Sequence, residues 1–337
     1  MTRAIVDTLG RPMRDLRISV TDRCNLRCSY CMPAEVFGPN YAFLPRAEIL
    51  SFEEIERVVR VMVGLGVRKV RLTGGEPLLR RDLAALVRKL AALPNLEDLA
   101  LTTNGLLLAP AAAELRGAGL RRVTVSVDAL DRDLFRRMSG GRGCITDVLS
   151  GLAAAREAGL PVKINCVVQR GVNESEILPL AELCRREGIT LRFIEYMDVG
   201  NHNRWDPSLV VPAREILGIL DREFGTVPLG PSFAGEVAKR YRYLDGRGEV
   251  GLVASITQPF CRDCNRARLT ADGKLVTCLF ASGGANVRAE LRNGVDDVEL
   301  AAFLRCVWEG RTDRYSEIRA KPQPSPSPKI EMSYVGG

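Results

Sequence analysis

The sequence predicts an α/β protein whose first 230 residues form six strand–helix units, as an incomplete (β/α)6 barrel or an open doubly wound sheet. Six short apolar runs alternate with stretches whose apolar residues recur at helical spacing. Most of these runs follow one another at about 30 residues, which is the length of one βα unit. After about residue 230 the pattern changes to shorter strands and turns, which predicts a β-rich C-terminal extension.

The six predicted strands cover residues 15–20, 69–73, 98–102, 121–127, 162–168 and 190–196. Because helical stretches separate them, the sheet is predicted to be parallel with right-handed crossovers. The working face of such a sheet lies at the carboxyl ends of its strands. The segments DRC, GGEP, TNG and DAL follow the first four strands, so we expect them at that face.

The first predicted helix covers residues 51–66 and has the clearest start signal. Ser51 and Glu54 are spaced as a capping box, in which each side chain accepts a hydrogen bond from a backbone N–H of the other. Apolar residues then recur every three or four positions. Further helices are predicted at 81–93, 111–119 and 177–188, and one at 295–310 in the extension.

Composition restricts the class of protein. The 337 residues are 46% hydrophobic and 26% charged, as in ordinary globular domains. No apolar run has the length of a membrane-spanning helix, and the first residues lack the apolar core of a signal peptide. We therefore expect a cytoplasmic protein with no membrane partner, in which cysteines stay reduced and can bind metal. The net charge of +7 is scattered along the chain, which disfavours a nucleic-acid-binding stripe.

Cys24, Cys28 and Cys31 lie in the segment CNLRCSYC, directly after the first predicted strand. Three thiolates on one loop can bind three irons of a 4Fe–4S cluster and leave the fourth iron open to a small molecule. The alternative is a zinc site completed by a distant ligand, for which His202 is a weak candidate. Spacing alone leaves both interpretations open.

A second group of three cysteines, Cys261, Cys264 and Cys278, lies in the C-terminal extension. Their spacing is compatible with a zinc knuckle and with an iron–sulfur cluster. As in the first group, the neighbouring sequence offers no fourth ligand.

The second group is predicted to flank a β-hairpin whose turn is ADG, residues 271–273, with Gly273 in the left-handed conformation. That turn would set Arg266 opposite Cys278. Because side chains alternate along a strand, Cys264, Arg266 and Arg268 would then share one face with Cys278. The hairpin therefore predicts a metal site beside two guanidinium groups, which suit phosphate oxygens.

These motifs together resemble a known family. CNLRCSYC has the spacing of radical S-adenosylmethionine (SAM) enzymes, and TGGEPLL resembles their glycine-rich segment that meets the methionine amino group. From about residue 14 to the final GG, segments such as LRISVTDRCNLRCSYCMP, RFIEYMDVG and CRDCNRARLTADGKLVTCLF resemble the GTP 3′,8-cyclases within that superfamily. The resemblance implies a partial TIM barrel, an incomplete (β/α)6 barrel, with a C-terminal β-rich extension carrying a second iron–sulfur cluster.

The resemblance also implies an activity. With two 4Fe–4S clusters and SAM as co-substrate, the family removes the ribose 3′ hydrogen of GTP by a 5′-deoxyadenosyl radical. The product is 3′,8-cyclo-7,8-dihydro-GTP, formed in the first step of molybdenum cofactor biosynthesis. The implied partners are a reductant such as flavodoxin or ferredoxin, the cyclic pyranopterin monophosphate synthase that takes the product, and a second copy of the chain in a homodimer.

The resemblance assigns site residues by matching motifs. The first cluster is bound by Cys24, Cys28 and Cys31, and the second by Cys261, Cys264 and Cys278. The residues implied at the SAM site are Tyr30, Gly75, Ser126 and Met197. Those implied to contact GTP are Arg17, Arg71, Thr102, Lys163, Arg266, Ala267 and Arg268. The residues implied to be catalytic are Arg17, Arg266, Arg268, Gly336 and Gly337.

The chain is expected to divide into three parts. Residues 1–230 form the radical SAM partial barrel, and residues 231–320 form the auxiliary-cluster and GTP-binding domain. Residues 321–337 form a Pro/Ser spacer and a diglycine tail. In the family this tail inserts into the active-site pocket. The isolated cysteines are expected to be small core residues, and they are Cys144, Cys166, Cys184 and Cys306. No role is assigned to Lys69, Arg192 or His202.

Two other functions are weighed against the cyclase. A radical SAM enzyme that modifies a peptide or a sugar could use the second cluster for electron transfer, but it would require neither the Arg266 and Arg268 pair nor the diglycine tail. A non-catalytic zinc or nucleic-acid-binding module would bind zinc and lose nucleic-acid affinity steeply with salt.

Overall fold

Six parallel strands form the centre of the sheet in the computed structural model, which describes residues 5–233, 235–319 and 328–336. These strands are β1 (Asp15–Ser19), β2 (Lys69–Thr73), β3 (Asp98–Thr103), β4 (Arg122–Ser126), β5 (Val162–Val168) and β6 (Thr190–Glu195). Each pairs in parallel with the next along the chain. The predicted strands are confirmed, with boundaries that differ by one residue at most.

Helices connect these strands, as the apolar spacing predicts. In the first part of the chain they are α1 (Phe52–Leu65), α2 (Leu83–Ala91), α3 (Leu108–Gly117), α4 (Arg132–Met138), α5 (Ile145–Glu157), α6 (Ile177–Glu187) and α7 (Ala213–Phe224). The later helices are α8 (Val287–Arg292), α9 (Asp297–Glu309), α10 (Tyr315–Ile318) and α11 (Met332–Val335). The capping box is confirmed: the Glu54 N–H donates to Ser51 Oγ at 3.1 Å, and the Ser51 N–H donates to Glu54 Oε2 at 2.7 Å.

The later strands extend the same sheet at both edges. One edge carries β7 (Thr226–Leu229), β8 (Lys239–Tyr243) and β9 (Glu249–Val253), and the other carries β10 (Arg266–Leu269), β11 (Lys274–Val276) and β12 (Ala285–Asn286). The strand order is β12-β11-β10-β1-β2-β3-β4-β5-β6-β9-β8-β7. Because β10 pairs in parallel with β1, the side chains that follow the second cysteine group lie beside those of the first strand.

The two faces of the sheet differ sharply in polarity. On the outer face, side chains such as Ile18, Leu72, Val123 and Phe193 are almost completely buried beneath the helices. The alternate positions on the inner face are largely charged or polar. Polar residues on a parallel sheet buried on both sides need an explanation, since such strands are normally apolar throughout. The inner face is therefore the place to look for a site.

The predicted hairpin is confirmed. Arg268 lies opposite Val276 and Leu269 opposite Leu275, which is the register that the ADG turn requires. Gly273 has φ of +78°, in the left-handed region.

The prediction that the four isolated cysteines are core residues is right for Cys166 and Cys184 and wrong for the other two. Cys144 is half-buried at the residue before α5. Cys306 is exposed because α9 buries the face that carries Leu300 and Leu304, and Cys306 lies two positions off that face. Within the described ranges, no helix is long and apolar enough to cross a bilayer.

Candidate functional site

The first cysteine group lies on a compact loop at the carboxyl end of β1. The Cys31 and Met32 N–H groups both donate to the Cys28 carbonyl, at 3.0 and 2.9 Å, which folds the chain into a turn. The Leu26 N–H approaches Cys24 Sγ at 3.4 Å. All three thiols are free and partly shielded from solvent.

The chemistry of these donors fits an iron–sulfur cluster. Burial raises the pKa of Cys24 to about 11 and that of Cys31 to about 12, and burial together with the neighbouring cysteines raises the pKa of Cys28 well above its usual value. The loop alone therefore opposes ionisation of its thiols, whereas bound iron would supply the positive charge that three thiolates need. Among the described residues, no three ligand side chains converge on a point as one zinc ion would require. This finding disfavours a single zinc ion. It does not disfavour a cluster, because the thiolates of a cluster each bind a different iron.

The glycine-rich segment packs directly against the cysteine loop. A Cβ added to Gly75 would lie 2.2 Å from the Arg23 carbonyl oxygen, so glycine is required for this approach. The next residue, Glu76, accepts hydrogen bonds from the Asn104 N–H and the Thr103 hydroxyl, each at 2.7 Å. Burial raises the pKa of Glu76 to about 7. The sequence predicted Gly75 here, whereas Glu76 received no role.

A cavity opens between the cysteine loop and the ends of the central strands. Cys28, Tyr30, Ser126 and Asp128 contribute to its lining, so two predicted SAM residues lie together beside a cluster cysteine. The Tyr30 hydroxyl donates to Asp128 Oδ2 at 2.5 Å, and burial raises the pKa of Asp128 to about 6. Met197 follows β6, and its carbonyl accepts a hydrogen bond from Asn203 at 2.9 Å.

In the second cysteine group, two guanidinium groups contact one sulfur. Arg266 Nη2 lies 3.4 Å and Arg311 Nη2 lies 3.3 Å from Cys264 Sγ. Burial opposes ionisation of this thiol, but the two arginines outweigh it and lower the pKa of Cys264 to about 6. Burial raises the pKa of Cys278 to about 11. The predicted metal site beside Arg266 has thiol donors of which one is already held as a thiolate.

Basic side chains line the inner face of the sheet. Arg17 is the register partner of Arg71 on one side and of Arg268 on the other, so three guanidinium groups lie in one row. On β1 to β6 and β10, the residues of this face that carry positive charge are Arg17, Lys69, Arg71, Arg122, Lys163, Arg192, Arg266 and Arg268. On the same strands, the residues of this face that carry negative charge are Asp15 and Asp98.

The two aspartates pair with two of these cations. Arg122 forms a two-pronged contact with Asp98, with a shortest distance of 2.6 Å, and Lys69 Nζ lies 3.2 Å from Asp15. Arg71 instead donates to the hydroxyl of Thr102 at 2.7 Å. These pairs leave most of the positive charge of the row uncompensated.

The pKa values of several of these basic side chains are lowered in the protein without ligand. Burial, with like charges nearby, lowers the pKa of Arg17 to about 10, that of Arg71 to about 9 and that of Lys163 to about 8. The pKa of Arg268 falls well below its usual range for the same reasons. The buried Nε atoms of Arg17 and Arg71 have no hydrogen-bond partner among the described residues. Buried cations without partners are costly, so the geometry favours a polyanionic ligand.

The tail reaches this row of cations. Arg268 Nη1 donates to the Val335 carbonyl at 3.1 Å and also to the Gly336 carbonyl. Gly336 has φ of +66°, and a Cβ there would lie 2.2 Å from Thr73 Cγ2 and 3.1 Å from Ser19 Oγ. Gly336 therefore lies at the carboxyl ends of β1 and β2.

The structure brings together most of the predicted residues. The exceptions are Met197, which does not line the cavity that Tyr30 and Ser126 line, and Ala267, whose buried side chain belongs to the apolar core. Two predictions for the tail, Gly337 and the spacer at 321–327, lie outside the described residues. Sequence reasoning missed Arg122 and Arg311, and it placed Asp128 at the working face, within the segment DAL, without a role. The signal for Arg122 was its alternation with Val123 and Val125 on a predicted strand.

The chain matches two known protein families over most of its length. Residues 18–184 match the radical SAM superfamily, and residues 189–317 match the family described as Molybdenum Cofactor Synthesis C. Full-length similarity extends to curated proteins named GTP 3′,8-cyclase. The proteins from Acidothermus cellulolyticus, Xanthomonas axonopodis pv. citri and Staphylococcus aureus are 52%, 54% and 48% identical, each covering 100% of both chains.

Solved structures share the fold at low sequence identity. Streptococcus suis SuiB bound to S-adenosylmethionine gives a TM-score of 0.60 at 17% identity, covering 80% of this chain and 60% of that longer one. SuiB bound to its precursor peptide SuiA gives 0.61 at 18% identity, covering 95% of this chain and 70% of the other. At such identities the similarity concerns the fold.

Proposed function

The chain belongs to the GTP 3′,8-cyclase family of radical SAM enzymes, and on that premise we propose a role for each part of its inner face. The family reaction converts GTP to 3′,8-cyclo-7,8-dihydro-GTP, the first step of molybdenum cofactor biosynthesis. Two 4Fe–4S clusters and SAM supply the electron and the 5′-deoxyadenosyl radical that removes the ribose 3′ hydrogen.

The proposed GTP site is the row of basic side chains on the inner face of the sheet. Arg17, Arg71 and Arg268 bind the triphosphate, with Lys163 completing the positive cavity. A triphosphate bears about four negative charges and would accept hydrogen bonds from the Nε atoms of Arg17 and Arg71, which now lack partners among the described residues. Arg266 orients the base end of the nucleotide, because it lies against Cys264 of the second cysteine group.

SAM is assigned to the carboxyl ends of the central strands, beside the first cysteine group. Glu76 presents a carboxylate beside the cysteine loop, where it accepts the charged amino group of methionine. Tyr30, Asp128 and Ser126 line the small cavity next to Cys28, and the first two are joined by a hydrogen bond. Cys24, Cys28 and Cys31 hold the first cluster on this loop, and Met197 is assigned to SAM by its motif.

Equilibrium binding of GTP at increasing salt tests the assignment of the cations. Several buried guanidinium contacts predict tight binding that persists when surface ion pairs are screened, since buried pairs are screened less. The matched comparison is guanosine, which lacks phosphate and is expected to bind far more weakly. Equal affinity for GTP and guanosine would contradict the role of the cations.

GTP affinity is expected to fall as pH rises above about 8. Burial lowers the pKa of Lys69 and of Lys163 to about 8 in the free protein, and Asp15 offsets this only in part for Lys69. A bound triphosphate favours the charged lysines, so binding takes up protons and is strongest below that pKa. Dissociation constants measured between about pH 7 and about pH 9 test this. In the double variant Lys69→Arg with Lys163→Arg, these two positions no longer titrate near pH 8, so the fall in GTP affinity around that pH should be smaller.

The tail is held by the loop that follows Met197. Asn201 and Lys329 form a reciprocal pair: Asn201 Nδ2 donates to the Lys329 carbonyl at 2.6 Å, and the Lys329 N–H donates to Asn201 Oδ1 at 2.8 Å. Lys329 Nζ also contacts Asp198 Oδ2 at 2.8 Å, and Asn201 contacts Glu331 at 2.6 Å. We infer that this loop positions Gly336 while it carries Met197 at the SAM site.

Replacing Asn201 by alanine is expected to lower the turnover of GTP on the order of tenfold, because three exposed hydrogen bonds of about 0.5 kcal/mol each hold the tail. Turnover is measured on protein whose iron content equals that of the wild type. Asn293→Ala, an exposed residue after α8, is the matched control. Turnover equal to that of the control would contradict the role of this loop.

Several further assignments complete the proposal. We expect a cytoplasmic homodimer that receives electrons from a flavodoxin or ferredoxin and passes its product to cyclic pyranopterin monophosphate synthase. Residues 1–230 supply the SAM site, residues 231–320 the second cluster, and residues 321–337 the tail. His202, with Nε2 3.5 Å from Glu331, belongs to the contacts of the tail.

A further inference from the structure

Arg311 contacts both the backbone and the sulfur of Cys264, a member of the second cysteine group. Its Nη1 donates to the Cys264 carbonyl at 2.7 Å, and its Nη2 lies 3.3 Å from Cys264 Sγ. The side chain is only 2% exposed. Arg311 is therefore a dedicated neighbour of one cysteine rather than a surface residue that reaches it by chance.

Groups from the amino-terminal segment hold the guanidinium of Arg311 in place. Asp7 Oδ2 lies 3.3 Å from Arg311 Nη1, and the Thr8 hydroxyl donates to the Arg311 carbonyl at 2.6 Å. The ring of Trp308 lies under the guanidinium, with its centroid at 4.7 Å. These contacts fix the orientation of a side chain that has several rotatable bonds.

The same segment reaches a second cysteine. Asp7 also accepts from Arg11 Nε at 2.6 Å, and Arg11 Nη1 donates to the Cys261 carbonyl at 2.8 Å. Trp308 Nε1 donates to the Arg11 carbonyl at 3.0 Å. Asp7, Arg11 and Arg311 thus form one buried network that holds the backbone of two of the three cysteines.

The network leaves one nitrogen of Arg311 directed at Cys264 Sγ. Asp7 pairs with Arg11 and with Arg311 Nη1, and Asp313 Oδ2 lies 3.5 Å from Arg311 Nε at the half-exposed rim. The third nitrogen, Nη2, lies 3.3 Å from the sulfur. The network therefore suits a cysteine whose sulfur ligates metal as a thiolate.

We propose that Arg311 is a positioning residue of the second cluster, which fixes Cys264 and raises the reduction potential of the cluster that Cys264 binds. A hydrogen bond from a cation to a ligating sulfur stabilises the reduced cluster, which carries one more negative charge, over the oxidised one. This inference rests on the proposed function, in which Cys261, Cys264 and Cys278 hold that cluster.

Redox titration of the fully loaded enzyme, followed by electron paramagnetic resonance, tests the inference. Arg311→Met removes the donor, and Arg311→Lys keeps a cation that can still pair with Asp7 but cannot make both contacts with Cys264. The matched control is Arg314→Met, since Arg314 is 44% exposed and pairs with Glu317. SAM identifies the signal of the first cluster, because it perturbs only that one.

In both Arg311 variants, the potential of the cluster that does not respond to SAM is expected to shift to a more negative value, with the larger shift in Arg311→Met. A chelator should also remove iron from that cluster several-fold faster, while the first cluster and the control stay unchanged. Loss of the second cluster in Arg311→Met together with a shift in Arg311→Lys also supports the inference. Unchanged potential and iron release in fully loaded Arg311→Lys overturn it. Wild-type enzyme that binds only one cluster instead overturns the proposed function.

Discussion

Replacing Gly336 by alanine is expected to lower cyclisation of GTP on the order of 10²-fold while both clusters remain loaded, because misplacement by about 1 Å in a site costs this much. The added Cβ would lie 2.2 Å from Thr73 Cγ2, and neither Thr73 on β2 nor Ser19 on β1 can move without disturbing the sheet. The tail must therefore retreat, and its carbonyl then loses Arg268. Product formation per loaded enzyme is the measurement.

Gly188→Ala is the matched control for this substitution. Gly188 follows α6 with the same φ of +66°, but a Cβ there meets nothing within 4 Å. Gly188, with ψ of 29°, lies in the left-handed region, where alanine costs about 1 kcal/mol. Gly336, with ψ of 146°, adopts a conformation that is largely restricted to glycine, so the control carries part of the backbone strain without the steric clash. If the two variants formed product equally fast, the close fit of the tail would have no role in the reaction.

Replacing Arg17 by methionine is expected to weaken GTP binding by at least about 30-fold, as loss of one partner from a buried charge contact costs about 2 kcal/mol or more. Arg17 lies between Arg71 and Arg268 in the row of cations. In the free protein its charge is opposed by burial and by like charges, which lower its pKa to about 10. The variant should therefore unfold at a temperature no lower than the wild type, although it binds GTP poorly.

Arg122→Met is the matched control for Arg17, on the same face of the sheet. Arg122 pairs with Asp98, so its loss leaves a carboxylate without its partner and should lower the unfolding temperature. Calorimetric unfolding and GTP titration of both variants separate the two roles. Normal GTP affinity in Arg17→Met would contradict the assignment of the triphosphate to this row.

The central strands could be predicted from the sequence because alternation with period two and helical spacing are local signals. The turn at Gly273 fixed the hairpin register, whereas Arg17, Arg71 and Lys163 were assigned through the family resemblance. The capping box at Ser51 is equally local, since it spans four residues.

Contacts between distant segments could not be predicted. Nothing local indicates that β10 pairs in parallel with β1, although this pairing puts Arg268 beside Arg17. Arg11 and Arg311 lie near opposite ends of the chain, yet both contact the second cysteine group. The burial of these charged side chains is explained by their partners, which the sequence does not identify. Likewise, the pairing of Asn201 with Lys329 joins a loop to the tail across 128 residues.

The central claim, that this inner face cyclises GTP by radical chemistry, is tested most directly with GTP carrying deuterium at the ribose 3′ carbon. Anaerobic enzyme reconstituted with iron and sulfide is given dithionite, SAM and the labelled nucleotide, and the 5′-deoxyadenosine formed is analysed by mass spectrometry. We expect GTP to raise the yield of 5′-deoxyadenosine, deuterium to appear in it, and an isomer of GTP to form. Unlabelled 5′-deoxyadenosine whose yield does not depend on GTP, from enzyme fully loaded with iron, would contradict the account.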